Sequence, residues 1–231
     1  MTSQPTPFVI AIDGPSGSGK SSVSRSVATQ LGAGYLDTGA MYRALTWWCR
    51  HEGVDLGDPH AVTAAAESLP LELGDDPQAP TVHVDGHDVA AEIRTSEISA
   101  LVSTVATVPA VRTEMQRRQR ALIDEIATRR GACVAEGRDL TTVVAPDAPV
   151  RILLTASEEA RLRRRSLEVH GASDEAAIDA TRDQVLRRDR DDSTVSQFTV
   201  AADGVAVVDT SDLDFDGSVD AVMALVVARG R

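Results

Sequence analysis

Apolar and polar positions fall into short blocks along this chain, and the blocks predict its elements. Residues 7–13 (PFVIAID) form an apolar run closed by Gly14-Pro15, the pattern of a short buried strand. Residues 21–31 carry helical spacing and end at Gly32, a fitting C-cap. Tyr35-Leu36-Asp37 is a brief strand, and Thr38 is placed to cap a helix over 40–52. From 54 to 94 the character changes. Asp58-Pro59 opens an alanine-rich helix over 61–69. Residues 71–73 and 81–84 read as strands, with Asp85-Gly86 as a hairpin turn. This stretch is predicted to be an inserted subdomain with a small antiparallel sheet.

Helical pattern returns over 95–107 and, after Pro109, to about 129. Residues 132–135 and 150–155 are buried strands. Ser157 caps a charged helix that runs to 170 and ends at Gly171, and a further helix spans 174 to about 188. A last strand covers 205–208 and a last helix 218–228. Strands alternating with helices predict one α/β domain over 1–231, on a five-stranded, mostly parallel sheet with helices on both faces.

Composition narrows the class. Hydrophobic residues make up 42% and charged residues 25% of 231 residues, as in a globular domain, and aromatics at 3% leave the core to aliphatic side chains. A net charge of −12 repels nucleic-acid backbones and argues against DNA or RNA as a partner. Cys49 and Cys133 lie in apolar stretches and read as reduced, buried thiols. No signal peptide and no apolar run near 18 residues is present, so the expectation is a cytoplasmic protein without a membrane span, acting as a monomer.

The strongest motif is Gly14-Pro15-Ser16-Gly17-Ser18-Gly19-Lys20-Ser21, a full match to GxxxxGK[ST] between a predicted strand and a predicted helix. Glycines let the backbone fold so that amides point at phosphate oxygens, and the helix adds its positive end. ATP is expected on these residues and Ser22. Lys20 would neutralise the β- and γ-phosphates, and the Ser21 hydroxyl would ligate Mg²⁺. Lys20 is also the only lysine; the other 22 basic residues are arginines. A compact ammonium fits between phosphates where a planar guanidinium does not, which accounts for the exception.

No NKxD segment accompanies the loop, so a kinase for a small acceptor fits better than a GTPase. Three arginine-bearing segments offer a second anion site: Leu36 to Arg43, Pro109 to Arg112, and Glu136-Gly137-Arg138-Asp139 at the end of a buried strand, the edge where ligands bind open α/β sheets.

These stretches resemble the bacterial cytidylate kinases, a nucleoside monophosphate kinase family. IDGPSGSGKSS, YLDTGAMYRAL, EIRTSEIS with VPAVRTEMQRRQR, EGRDLTTVVAPDAPVRILL and RRDRDDST keep the family's order from residue 8 to about 194. The resemblance implies transfer of the γ-phosphoryl group of ATP to CMP or dCMP, with Mg²⁺. It implies that Arg43 and Arg138 hold the acceptor phosphate. Thr38, Arg112 and Asp139 read cytosine, and Ser103, Arg188 and Asp192 contact the ribose. A carboxylate such as Asp139 accepts from the cytosine amino group and would face a carbonyl in uracil. The chain departs from the family at Thr38, where serine is commoner, and at Val195, where the family carries a phosphate-binding arginine. Either another arginine, such as Arg190, supplies that charge, or acceptor binding is weaker.

Eight arginines between 161 and 190 are either a solvated helix face or part of a lid over 157–195. In the second reading Arg161, Arg164 and Arg188 face inward and, with Lys20 and Arg138, stabilise the transferring phosphoryl group. Asp37 either orients the acceptor or is a buried cap. His83 and His87 read as surface residues and Trp47-Trp48 as packing against the insertion. Kinases for other acceptors, such as UMP or shikimate, and a catalytically silent nucleotide-binding protein remain alternatives at this point.

Overall fold

The computed structural model describes residues 7–171 and 174–230, with residues 168–170, 180, 183, 184 and 188 described by their backbone alone. Its centre is a five-stranded sheet of β1 (Phe8–Asp13), β2 (Gly34–Asp37), β6 (Ala132–Gly137), β7 (Val150–Thr155) and β8 (Ala206–Asp209), in the order β2-β6-β1-β7-β8. Every pairing is parallel. The sheet is therefore wholly parallel, where the sequence predicts mostly parallel.

Alternation along the strands assigns the two faces. Ile10, Ile12, Val134, Ile152 and Leu154 pack with α1 (Lys20–Leu31) and α8 (Phe215–Val227). Ala11, Leu36, Cys133 and Ala135 pack on the opposite side with α2 (Thr38–His51), α3 (Pro59–Ser68), α4 (Ser96–Ala106) and α5 (Pro109–Arg130). Strands buried on both faces read as continuous apolar runs, which is why these segments are legible as strands. Burial pushes the Cys49 thiol up to about 11 and Cys133 up to about 12, so both stay protonated.

Residues 54–94 fold as α3 followed by an antiparallel sheet of β3 (Leu71–Leu73), β4 (Val82–Val84) and β5 (His87–Asp88). Asp85 and Gly86 turn the hairpin with positive φ. Trp47 stacks on His51 and its indole N–H donates to Glu92 at 2.6 Å, so it packs toward this insertion. Helices α6 (Glu158–His170) and α7 (Glu175–Ser193) follow β7, capped by Ser157 and Asp174. α7 continues past the predicted end at 188 and carries Asp189 and Asp192 with it. Among the described residues no helix is long and apolar enough to cross a membrane.

Register decides where chemistry gathers. Asp13 is level with Gly137 on β6 and Leu153 on β7, and Asp37 is level with Glu136. The carboxyl ends of β1, β2 and β6 thus open at one edge, at a crossover in strand order, where open α/β sheets bind ligands.

Candidate active site

The phosphate loop joins β1 to α1. Gly14 is packed so tightly that a Cβ there would lie 2.1 Å from the Leu154 carbonyl oxygen. Gly19 caps α1 with a left-handed backbone, no side chain caps the helix, and its first turn holds no acidic residue. The leading amides and the helix dipole therefore favour an anion at the loop. Lys20 Nζ lies 3.6 Å from Glu136 Oε2, and Glu136 also accepts from the Tyr35 hydroxyl at 2.9 Å. Burial, reinforced by the Glu136 charge, holds the Tyr35 phenol well above its ordinary range.

Asp37, and not Thr38, caps α2: its carboxylate accepts from the Ala40 amide at 2.9 Å. Thr38 falls inside the first turn, and its hydroxyl is taken by the Glu136 carbonyl at 2.7 Å. Sequence spacing does not separate two adjacent cap-formers when a neighbouring strand decides between them. Asp37 also binds Arg43 Nη2 at 3.0 Å and Arg94 Nη2 at 3.3 Å. Burial pushes its carboxyl up, but the Arg43 and Arg94 charges, the Ala40 amide and the Lys20 charge together hold it below the usual carboxylate range.

One cavity reaches from the loop to these arginines. Lys20 and Ser21 line it together with Arg43, Arg94, Arg138 and Arg165, and with the carboxylates of Asp37 and Glu136. Arg43 Nε is buried and has no hydrogen-bond partner among the described residues. A second, smaller cavity is lined by Thr38, Tyr42, Arg112, Asp139, Asp192 and Ser196. Within it Arg112 Nη2 donates to Asp139 Oδ2 at 2.6 Å and to Ser196 Oγ at 2.9 Å. Ser103 Oγ donates to Asp192 Oδ1 at 3.4 Å. Of the residues expected to read base, sugar and acceptor phosphate, Thr38, Arg112, Asp139 and Asp192 line the smaller cavity and Arg43 the larger, with Arg138 lining both.

Arg138 Nη1 donates to Asp189 Oδ1 at 3.0 Å and forms an ion pair with Asp192 Oδ2 at 2.9 Å, and its guanidinium lies 4.5 Å over the ring of buried Phe198. Asp189 also pairs with Arg161, whose Nη1 donates to the Ser16 carbonyl at 3.0 Å. Arg164 donates to Thr210 Oγ1 at 2.8 Å and to the Thr210 carbonyl at 2.6 Å. It lines a third cavity with Gly17, Ser18, Gly19, Leu213 and Phe215. Arg161, Arg164 and Arg165 thus reach the loop, while Arg163 is exposed and pairs with Glu159. Arg188 lies in α7, and its side chain is outside the described residues. Arg190 is exposed and is not among the described residues lining the cavity that holds Lys20 and Arg43, whereas Arg94 and Arg165 are.

Asp13, the residue before the loop, is buried and accepts from the Leu140 amide at 3.0 Å, the Thr141 amide at 2.8 Å and the Thr141 hydroxyl at 2.7 Å. These donors open a π-helical turn, Leu140–Val144, directly after Arg138 and Asp139. The end of β1 thereby anchors the segment that carries Arg138 and Asp139. Burial pushes the Asp13 carboxyl up to about 6, against the pull of its hydrogen bonds, and the Asp139 charge adds to the rise.

Sequence reasoning assigned no role to Arg94, Glu136, Arg165 or Asp189. All four lie within or beside segments it singled out, and helical spacing could have paired Arg165 with Arg161. Among the described residues no cluster of three or more His, Cys, Asp or Glu could hold a metal, and His83 and His87 gain no further ligands.

Two anion sites facing each other across one cavity are what transfer between two phosphorylated substrates requires, and on this fold they define a P-loop kinase. The cytidylate kinase family model matches residues 10–228. The cytidylate kinase of Streptomyces avermitilis is 48% identical over 219 residues, spanning 94% of this chain and 92% of that one. That of Cutibacterium acnes is 48% identical over 222 residues, spanning 96% of each. A solved structure of an uncharacterised Eubacterium ventriosum protein shares the fold alone, with a TM-score of 0.52 at 12% identity over 96% of this chain and 99% of that one. The chain belongs to the cytidylate kinase family.

Proposed function

We infer that this enzyme moves the γ-phosphoryl group of ATP onto CMP or dCMP, giving ADP and CDP or dCDP. The observation that carries the reading is the shared cavity, in which Lys20 and Ser21 meet Arg43 and Arg138. The triphosphate lies along the loop amides, with adenosine toward Arg164 and Phe215. The acceptor phosphate is held by Arg43, whose buried Nε lacks a partner among the described residues, and by Arg138. An acceptor oxygen attacks the γ-phosphorus, and the bridging oxygen departs with ADP. Lys20, Arg161 and Arg165 take up charge on the transferring group, and no covalent enzyme intermediate is needed.

Oxygen donors suit Mg²⁺, and an ion carried in by ATP keeps most of its ligands as water and phosphate. The Ser21 hydroxyl fits as its protein ligand, with Asp37 and Glu136 lining the same cavity. When bound, the ion neutralises charge shared by the β- and γ-phosphates. Helices α6 and α7 act as a lid that brings Arg161 and Asp189 to the loop and excludes water.

Base choice rests on Asp139. ADP release is measured with CMP, dCMP, UMP, AMP and shikimate, for the native enzyme and Asp139→Asn. Turnover with CMP and dCMP far above the others, and sharply lower in the variant, is the expected result. Preference for another acceptor would discard the cytosine reading, and no turnover with any acceptor would discard the enzyme reading.

A further inference from the structure

Asp139 is 5% exposed, and two side chains of α5 hold it. Arg112 Nη2 reaches Oδ2 at 2.6 Å, and Gln116 Nε2 reaches the same oxygen at 2.9 Å. Residues 112 and 116 stand one turn apart on one helix face, so both approach from the same side. Among the described residues no donor is bonded to Oδ1. Asp139 lines the small cavity beside Thr38 and Tyr42; Gln116 stands behind the carboxylate, outside the lining.

The Arg112 contact alone does not fix the carboxylate. It is made through a single nitrogen, which also serves Ser196 Oγ, while Nη1 turns to the Ala106 carbonyl at 3.4 Å. The two-point fork that usually orients a carboxylate on arginine is absent. The last torsion of aspartate is soft, so one point of attachment leaves the group free to rotate. Rotation would let Arg112 engage both oxygens and withdraw the acceptor from the cavity.

We propose that Gln116 is a positioning residue for base selectivity, pinning one oxygen of Asp139 so that the other stays presented as the acceptor for the exocyclic amino group of a cytosine. The proposal rests on the reading of Asp139 given above. Selectivity follows from fixed geometry. A fixed acceptor binds an amino group and opposes the carbonyl that uracil places there, whereas a carboxylate free to turn away loses both effects.

The test compares Gln116→Met, close in shape but without a donor, with Gln116→Glu and Asp139→Asn in the full-length enzyme. Values of kcat and KM are measured for CMP and UMP at saturating ATP, together with Tm. In Gln116→Met the KM for CMP should rise about tenfold, the scale of a lost hydrogen bond to a charged group, with kcat within about twofold. The CMP-over-UMP preference should shrink by a similar factor, and Gln116→Glu, which brings a second carboxylate to Asp139, should be worse for CMP. Two results would overturn the proposal: an unchanged preference in Gln116→Met while Asp139→Asn abolishes it, or equal losses with both nucleotides alongside a lowered Tm. An unchanged preference in Asp139→Asn itself would overturn the base reading, and the role of Gln116 with it.

Discussion

Asp189 accepts a hydrogen bond from the backbone amide of Ser16 at 3.1 Å, joining α7 to the phosphate loop. The same carboxylate holds Arg138 and Arg161, so one acidic group orients a cation that lines both cavities and one that reaches the Ser16 carbonyl of the loop. Misplacing reacting groups by about 1 Å costs on the order of a hundredfold in rate. Asp189→Asn is expected to lower kcat about ten- to a hundredfold at saturating ATP and CMP. A kcat within twofold of the native enzyme would show that the guanidiniums are oriented without it.

Asp13 supplies a pH dependence. Its carboxyl lies near 6 in the folded protein against 3.8 ordinarily, so the native state takes up the proton first. From this group alone, stability falls as pH rises from about 4 to 6, and Asp13→Asn should lack that decline in Tm. Function runs the other way, because the protonated acid accepts its three hydrogen bonds less well and loosens the turn behind Arg138 and Asp139. At pH 8, kcat/KM for CMP should be about tenfold lower in Asp13→Asn than in the native enzyme. At pH 5 the two should converge. Taking the ratio removes the titration of the substrate phosphate near pH 6, which both enzymes share.

Arg94 brings a cation from the insertion to the cavity and leans on the carboxylate that holds Arg43. Arg94→Met is expected to raise KM for CMP about tenfold, through loss of one charge-assisted contact, and to leave KM for ATP within about twofold. Steady-state titration of each nucleotide separates the two. Equal effects on both would place Arg94 on the transferring group and not on the acceptor.

Gly14 is a matter of space. An alanine methyl would meet the Leu154 carbonyl at 2.1 Å, and a backbone oxygen inside a sheet cannot swing aside. Gly14→Ala should cost about 2–4 kcal/mol in urea unfolding. Gly32→Ala, with nothing within 4 Å of its Cβ, should cost only about 1 kcal/mol, for the left-handed backbone. Equal costs at the two positions would rule out the clash.

Elements and the donor loop were legible in the sequence because they depend on local signals. Apolar runs, Gly32, Pro109 and the spacing of Gly14, Gly19, Lys20 and Ser21 all act within a few residues. Contacts across the fold were not legible. Asp13 meets its donors 127 and 128 residues later, and the bond between Thr38 and Glu136 spans 98. Only the sheet register brings such pairs level. Arg94 and Arg190 look alike as letters, and what separates them is that one sits on the insertion facing Asp37 while the other faces outward on α7. Gln116 stood hidden in an arginine-rich helix because nothing local marks which residue lies behind a carboxylate 23 positions away.

Sparing lysine everywhere except the phosphate loop gives the chain a built-in reporter. Among the side chains of this sequence an amine-directed reagent finds a single target, Lys20, which is 13% exposed beside Glu136. The degree of labelling at that one side chain, with and without nucleotide, therefore counts occupied donor sites directly, without any engineered tag or reporter substrate.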